Sequence, residues 1–405
     1  MGHHHEFHPA PEQFKPSDSL RRMLMGMMGV GILAIAYGLF SNPDRFWANF
    51  LLNNWYFMGL GLMGTLFLAT QSASNAGWSA GFKRIPEAMA GYLPVAYVGM
   101  GILLLALVFH WNHLYHWAVE GIADPASHHY DEIIAEKVAY LNVPFMVGRV
   151  LVIFALWYLF TRAMRRNSLL EDEIGGVKML KRNKTISVIF LPVFAVSWAM
   201  SSWDWLMSLD AHWYSTIFWV YQFAASWVTA ISVITLTVIL LRRAGYLNMV
   251  TDNHLHDLGK FMFAFSIFWT YIWISQYLLI FYANIPEETI YFQERFEHFE
   301  FLFLFNIVIN FLAPFFLLMT RGSKRNDGLM LTVALVIIIG KWIDLYLGIM
   351  PGTMGAKAGI GFIEIGMFVG FAGLFGWVLV KGLSSVSLVP AKHPFLKEFA
   401  HHEVL

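Results

Sequence analysis

The 405-residue chain contains no cysteine. That absence excludes structural disulfides, thiolate zinc sites, Cys-ligated iron–sulfur clusters and thiol nucleophiles. Charge is scarce too: Asp, Glu, Lys and Arg make up 13% of the residues, against about 25% in soluble domains. The 27 basic and 27 acidic side chains cancel, so there is no basic surplus to hold a nucleic acid. Disorder is excluded because it requires low hydrophobicity. No GxxxxGK[ST], HExxH or GxSxG pattern stands in a usable context, which removes visible ATPase, zinc-protease and hydrolase sites. What the chain has in abundance is apolar side chains, 58% of the total. So few charges cannot coat a soluble protein of this size. The composition describes an all-α polytopic membrane protein.

A spanning helix needs about 20 mostly apolar residues. Ten such runs are expected, near 22–40, 50–70, 87–109, 143–164, 186–207, 217–241, 259–283, 298–319, 328–350 and 359–381. They are continuously apolar, without the alternation of barrel strands. The result is a single integral membrane domain: a segment 1–21, ten spans over 22–381 and a tail 382–405. The N-terminal MGHHHEF carries three histidines, and no cleavable signal peptide is expected before the first span.

Lys and Arg set the orientation. One alternating set of connections holds 21 of them, seven within 162–184 alone, and the other holds Arg45, Lys137, Arg295 and Lys357. Arg149 and Lys341 fall inside spans. The split places both termini in the cytoplasm. The outer connections differ in character. The 110–142 connection carries His110, His113, His116, His128 and His129 among acidic residues, and 284–297 is a Glu-rich loop. Such loops suit protein partners, and they equally suit plain solvation.

A charge within a span costs at least about 2.5–3.5 kcal/mol and asks for a partner or a wet cavity. Five fall in the outer half or at the midplane: Arg149, Asp204, Lys341, Asp344 and Glu364. Lys341 and Asp344 lie one turn apart on one face. One reading pairs them, Arg149 with a carboxylate and Lys341 with Asp344, to fix helix registry. The other is a proton half-channel, wet from outside and ending near Lys341. Glu87, Asp257 and Lys260 are expected to snorkel at the inner interface. Polar rows on span six (Gln222, Ser226, Thr229, Ser232), span seven (Ser266, Thr270, Tyr271, Ser275, Gln276) and span eight (Asn306, Asn310) either glue helices together or carry water. Haem is disfavoured, since a b-type haem needs two facing histidines at one depth. His110, His212, His254, His256 and His298 sit at span ends. A quinone is the only electron carrier left for the chain itself to hold.

The run WDWLMSLDAHWYSTIF, residues 203–218, with Asp204, Asp210 and His212 at fixed spacing, resembles the signature stretch of ActF. ActF is an NrfD-like membrane subunit of bacterial alternative complex III, a quinol:cytochrome c oxidoreductase. Length, span number, cytoplasmic termini, lack of cysteine and the basic 162–184 connection match in outline. The resemblance implies two four-helix bundles, spans two to five and six to nine, with spans one and ten peripheral. It implies partners: a multihaem cytochrome, an iron–sulfur protein, a second NrfD-like subunit, small membrane-anchored subunits and surrounding lipids, with a terminal oxidase as a further candidate. Haems and iron–sulfur clusters would then belong to those partners. This chain is expected to bind no cofactor of its own, with quinone left open. A stand-alone secondary transporter and a purely structural scaffold are the competing readings. A transporter of inverted repeats would show matched helix breaks, and Pro94, Pro144, Pro192 and Pro314 lie near span ends instead.

Overall fold

A computed structural model describes residues 12–403, which form helices and connections without any strand. His3, His4 and His5 lie outside the described residues. Ten long helices follow in order: α1 (Asp18–Ser41), α2 (Pro43–Ser74), α3 (Arg84–Val108, interrupted at Gly91–Tyr92), α4 (Val143–Ile174), α5 (Lys178–Trp205), α6 (Phe218–Arg243), α7 (Asp252–Ala283), α8 (Pro286–Leu317), α9 (Asp327–Met354) and α10 (Phe362–Ser384). Among the described residues, nine of these are long and apolar enough to cross a membrane, all but α2. The chain is thus a helical, multi-pass membrane protein.

The composition of α2 follows from its position. It packs against α3, α5, α6, α9 and α10, so nearly all of its side chains are covered by protein. A helix wrapped on every side needs no lipid-facing stripe. It therefore carries Asn49, Asn53 and Asn54, each buried and hydrogen-bonded.

Two ends of the molecule can be told apart. One, the terminal face, carries both ends of the described chain. There the Leu247 N–H donates to Glu12, Asn253 Nδ2 to the His402 carbonyl, and Arg242 reaches both Asp252 and Asp327. The opposite face gathers the 110–142 connection, the turn after α5 and the start of α10. Lys137 Nζ donates there to the Ala211 carbonyl at 2.6 Å. Besides α2, helices α6 and α9 are the most buried, and α1 is held mainly by α10.

The α1–α10 contact depends on glycine. A Cβ added to Gly31 would meet Gly370 Cα at 2.4 Å, and one added to Gly370 would meet Gly31 Cα at 2.3 Å. Backbone contact of this kind is how helices associate in lipid, where apolar attraction between them is absent. Gly370→Leu is expected to push α1 off the molecule at a cost of about 1–3 kcal/mol or more. A lowered melting temperature of the purified chain checks it, and an unchanged one would contradict the contact.

Two sequence expectations need correction. The Glu-rich 284–297 segment is not a loop: α8 begins at Pro286, with Glu287 and Glu288 in its first turn. Proline at the first helical position and acids beside it are a helix start. Arg295, assigned from sequence to an outer connection, is therefore inside α8 and 2% exposed. Glu364 is shallower than expected. Helix α10 starts at Phe362, and Glu364 sits in its first turn, accepting from the Gly361 N–H.

Candidate functional site

Helix α9 places Lys341 and Asp344 near its centre, both 2% exposed. They are not paired. Asp344 instead accepts from three side chains of other helices: the Tyr221 hydroxyl on α6, Trp269 Nε1 on α7 at 3.0 Å and Asn306 Nδ2 on α8 at 2.9 Å. Asn310 extends this row, donating to Asn306 Oδ1 at 2.6 Å and to the Gly340 carbonyl at 2.9 Å. Gly340 is required for that approach, because a Cβ there would stand 2.7 Å from Asn310 Oδ1. Asn310 lies in a π-helical turn, Val308–Leu312, which inserts one residue and re-aims the asparagine. Such turns recur at functional sites.

Lys341 has no hydrogen-bond partner among the described residues. Its Nζ stands 3.0 Å from the centroid of the Trp269 ring, a cation–π placement. The other buried lysines and Arg84 each hold at least one side-chain or carbonyl partner. Lys83 reaches Glu171 at 3.3 Å, and Arg84 is bound to Glu87, Asp172 and Ser168. Lys324 donates to the Met319 and Thr320 carbonyls. The space beside Lys341 is a cavity of about 20 Å³ lined by Tyr56, Gln222, Ser226, Thr229 and Asp344. A second cavity of about 20 Å³ lies on the other side of Asp344, lined by Tyr221, Gln276, Tyr291, Arg295 and Asn306. Each is large enough for about one water. The Gln276 Oε1 has no protein partner and lies on the second cavity's residue set. A quinone ring does not fit either space.

The rows on α6 and α7 divide. Gln222, Ser226 and Thr229 face the cavity, but Thr229 and Ser232 also donate to carbonyls four residues back. Ser266 and Thr270 are buried, whereas Tyr271 is 64% exposed and faces outward.

The other expected charges sit elsewhere. Arg149 grips Asp204 with two hydrogen bonds of 2.8 Å, its guanidinium lying between the Tyr140 and Phe145 rings. Glu364 is held by Arg45 at 2.6 Å and 2.7 Å and by Asn49 at 2.8 Å. Of the five candidates the structure thus brings only Lys341 and Asp344 to one cavity. Asp204, Asp210 and His212 share a different task. Each ties the 203–218 stretch to a separate element: Asp204 to Arg149 on α4, Asp210 to Arg295 on α8 at 3.3 Å, and His212 to Asp131 of the 110–142 connection at 2.6 Å. Burial raises the Asp131 carboxyl, but hydrogen bonds from His212 and the Ile134 N–H outweigh it and hold the group below the usual carboxylate range.

Sequence reasoning missed Arg295, Tyr221 and Trp269 at the centre, and on the terminal face it singled out Glu87, Asp257 and Lys260 without the partners that bury them. Glu87 does not snorkel. It is buried among Arg84, Arg165 and Ser168, with Lys83, Glu171 and Asp172 alongside. Asp257 is likewise held, by Lys260 and His402 at 2.6 Å each. His254 is buried, bonded to Thr251 and to the Phe399 carbonyl. The C-terminal tail lies over the cluster, with His393 Nε2 3.6 Å from Glu171. Burial, then the nearby Lys83 and Arg84 cations, push the His393 imidazole well below its ordinary value. A detached tail therefore binds more protons below pH of about 6.5, and docking weakens as pH falls through that point. Amide exchange over 388–400 is expected to be faster at about pH 5.5 than at about pH 7.5. Equal rates would contradict the assignment.

No protein-family model matches the chain, and no match is found among curated proteins.

Proposed function

We propose that the chain is a membrane subunit of a quinol-oxidising complex of the alternative complex III type, supplying structure and a proton half-channel that opens on the opposite face. In this reading ten helices cross the membrane, α2 to α5 and α6 to α9 form two four-helix bundles, and α1 and α10 lie at the periphery. Both termini face the cytoplasm. The 203–218 stretch and the packing of α1 on α10 support this arrangement. The chain holds no redox centre, and quinol oxidation belongs to its partners.

The observation that carries the proton role is Lys341: a buried amine with no hydrogen-bond partner, facing a water-sized cavity shared with Asp344. Buried ionisable groups in membranes are functional by default, and a purely structural lysine would be expected to have a partner. The route begins at Asp210 and Arg295, passes the cavity at Gln276, reaches the Asp344 carboxylate and crosses the inner cavity to Lys341 Nζ. There the amine rests on Trp269. Beyond it, Ser232 and Thr235 donate to their own helix carbonyls, so the polar path ends.

Purification from native membranes tests the subunit assignment. Haem-bearing partners should accompany the chain through mild detergent. A chain that purifies alone and exchanges a solute would be a transporter instead.

A further inference from the structure

Helix α4 has 32 residues, about 48 Å of helix, and hydrocarbon spans only about 30 Å. Its terminal-face end therefore passes through the headgroup layer. Arg162, Arg165 and Arg166 stand there at spacings that put them on one helix face. With Leu169, Leu170 and Glu173 they line an open recess of about 380 Å³. Arg165 is turned toward Glu87 at 3.4 Å. Arg162 reaches only the Tyr158 hydroxyl, at 3.2 Å, and no hydrogen bond or ion pair involves Arg166 among the described residues. Two nearby carboxylates are engaged elsewhere, Glu171 with Lys83 and Asp172 with Arg84, which leaves Glu173 as the one acid facing three arginines in the recess. One turn toward the midplane the same helix offers Tyr158 and Leu159, 37% and 60% exposed.

We propose that this recess binds the phosphate diester of an anionic lipid. Arg162 and Arg166 take the phosphate oxygens, and the acyl chains run along Tyr158 and Leu159. A guanidinium pair matches phosphate oxygens geometrically, and basic recesses at this depth select anionic headgroups. Glu173, part of the same lining, disfavours a second negative charge, so a singly charged diester suits the site. A free phosphate shares the anion chemistry but has no chain to lay on Leu159. The site does not depend on which complex the chain belongs to.

The test uses the full chain in mild detergent, with phosphatidylglycerol, phosphatidylcholine and inorganic phosphate as separate probes. Retained lipid is counted by native mass spectrometry and thermal stability is followed in parallel. Phosphatidylglycerol should be retained and should raise the melting temperature, and phosphatidylcholine should do neither. Arg162→Gln with Arg166→Gln should lower retention about thirty-fold, from roughly one order-of-ten contribution and a half for two cations near the surface. Lys178→Gln with Lys181→Gln removes the same charge from the next helix, where both lysines are exposed, and should leave retention nearly intact. Equal loss in both double variants would overturn the site in favour of diffuse attraction. Equal stabilisation by inorganic phosphate would overturn the lipid assignment in favour of a free anion. Equal retention of the two lipids by the unaltered chain overturns the proposal without any variant.

Discussion

Arg149→Met is expected to destabilise the protein by about 3–5 kcal/mol, because it leaves the Asp204 carboxylate buried without its counter-charge. The side chains are 4% and 1% exposed, so water cannot substitute. The same change removes the hydrogen bond from Arg149 Nη1 to the Tyr140 carbonyl at 3.1 Å. Pairing it with Asp204→Leu removes both charges, and an apolar pair of similar size often costs little or nothing. The double variant should therefore recover most of the lost stability. Thermal melting of both variants in one detergent checks this. A single variant as stable as the parent would mean that Asp204 is solvated.

Asp344 and Lys341 should respond in opposite ways, although they are one turn apart. Asp344→Leu strands the Tyr221 hydroxyl, the Trp269 N–H and the Asn306 amide, each orphaned donor costing about 1–3 kcal/mol. A large loss of folded protein follows. Lys341→Met breaks no hydrogen bond, removes a buried amine without a partner and lays a thioether on the Trp269 ring, a favourable contact. Its stability should match or exceed that of the parent. Comparing the two melting temperatures checks the contrast, and a strongly destabilised Lys341→Met would show that the amine has a structural partner. This contrast makes Lys341→Met a clean probe, since any functional deficit it shows cannot be assigned to unfolding.

Much of this architecture was legible in the chain. Continuous apolar runs locate the long helices because lipid forces each to satisfy its own backbone. Lys341 and Asp344 stand out because charge is so rare among apolar neighbours. Their partners did not stand out. Tyr221 and Trp269 look like any interior aromatic, and which aromatic faces a carboxylate is decided by helix rotation, which periodicity does not fix. Arg295 was hidden for a different reason: polar residues at the start of α8 imitate a loop until proline is read as a helix start. Glu87 looked like an interfacial acid because two of the groups that hold it, Arg165 and Ser168, come from α4, some 80 residues away in sequence. Asn49 and Asn53 were not singled out in the sequence. Their meaning appears only once α2 is seen at the centre of the packing, where Trp342 Nε1 donates to Asn53 Oδ1 at 3.0 Å. The motif residues Asp204, Asp210 and His212 were recognisable as a set, but their common role in fastening one stretch to three elements needed the fold.

The most direct test is the number of protons translocated per quinol oxidised by the intact complex in sealed vesicles, with Lys341→Met against the parent. Quinol oxidation should be nearly unchanged, because no residue of this centre is assigned to that reaction, while proton translocation should fall. Full translocation with the melting temperature preserved would contradict the half-channel and leave the chain a scaffold.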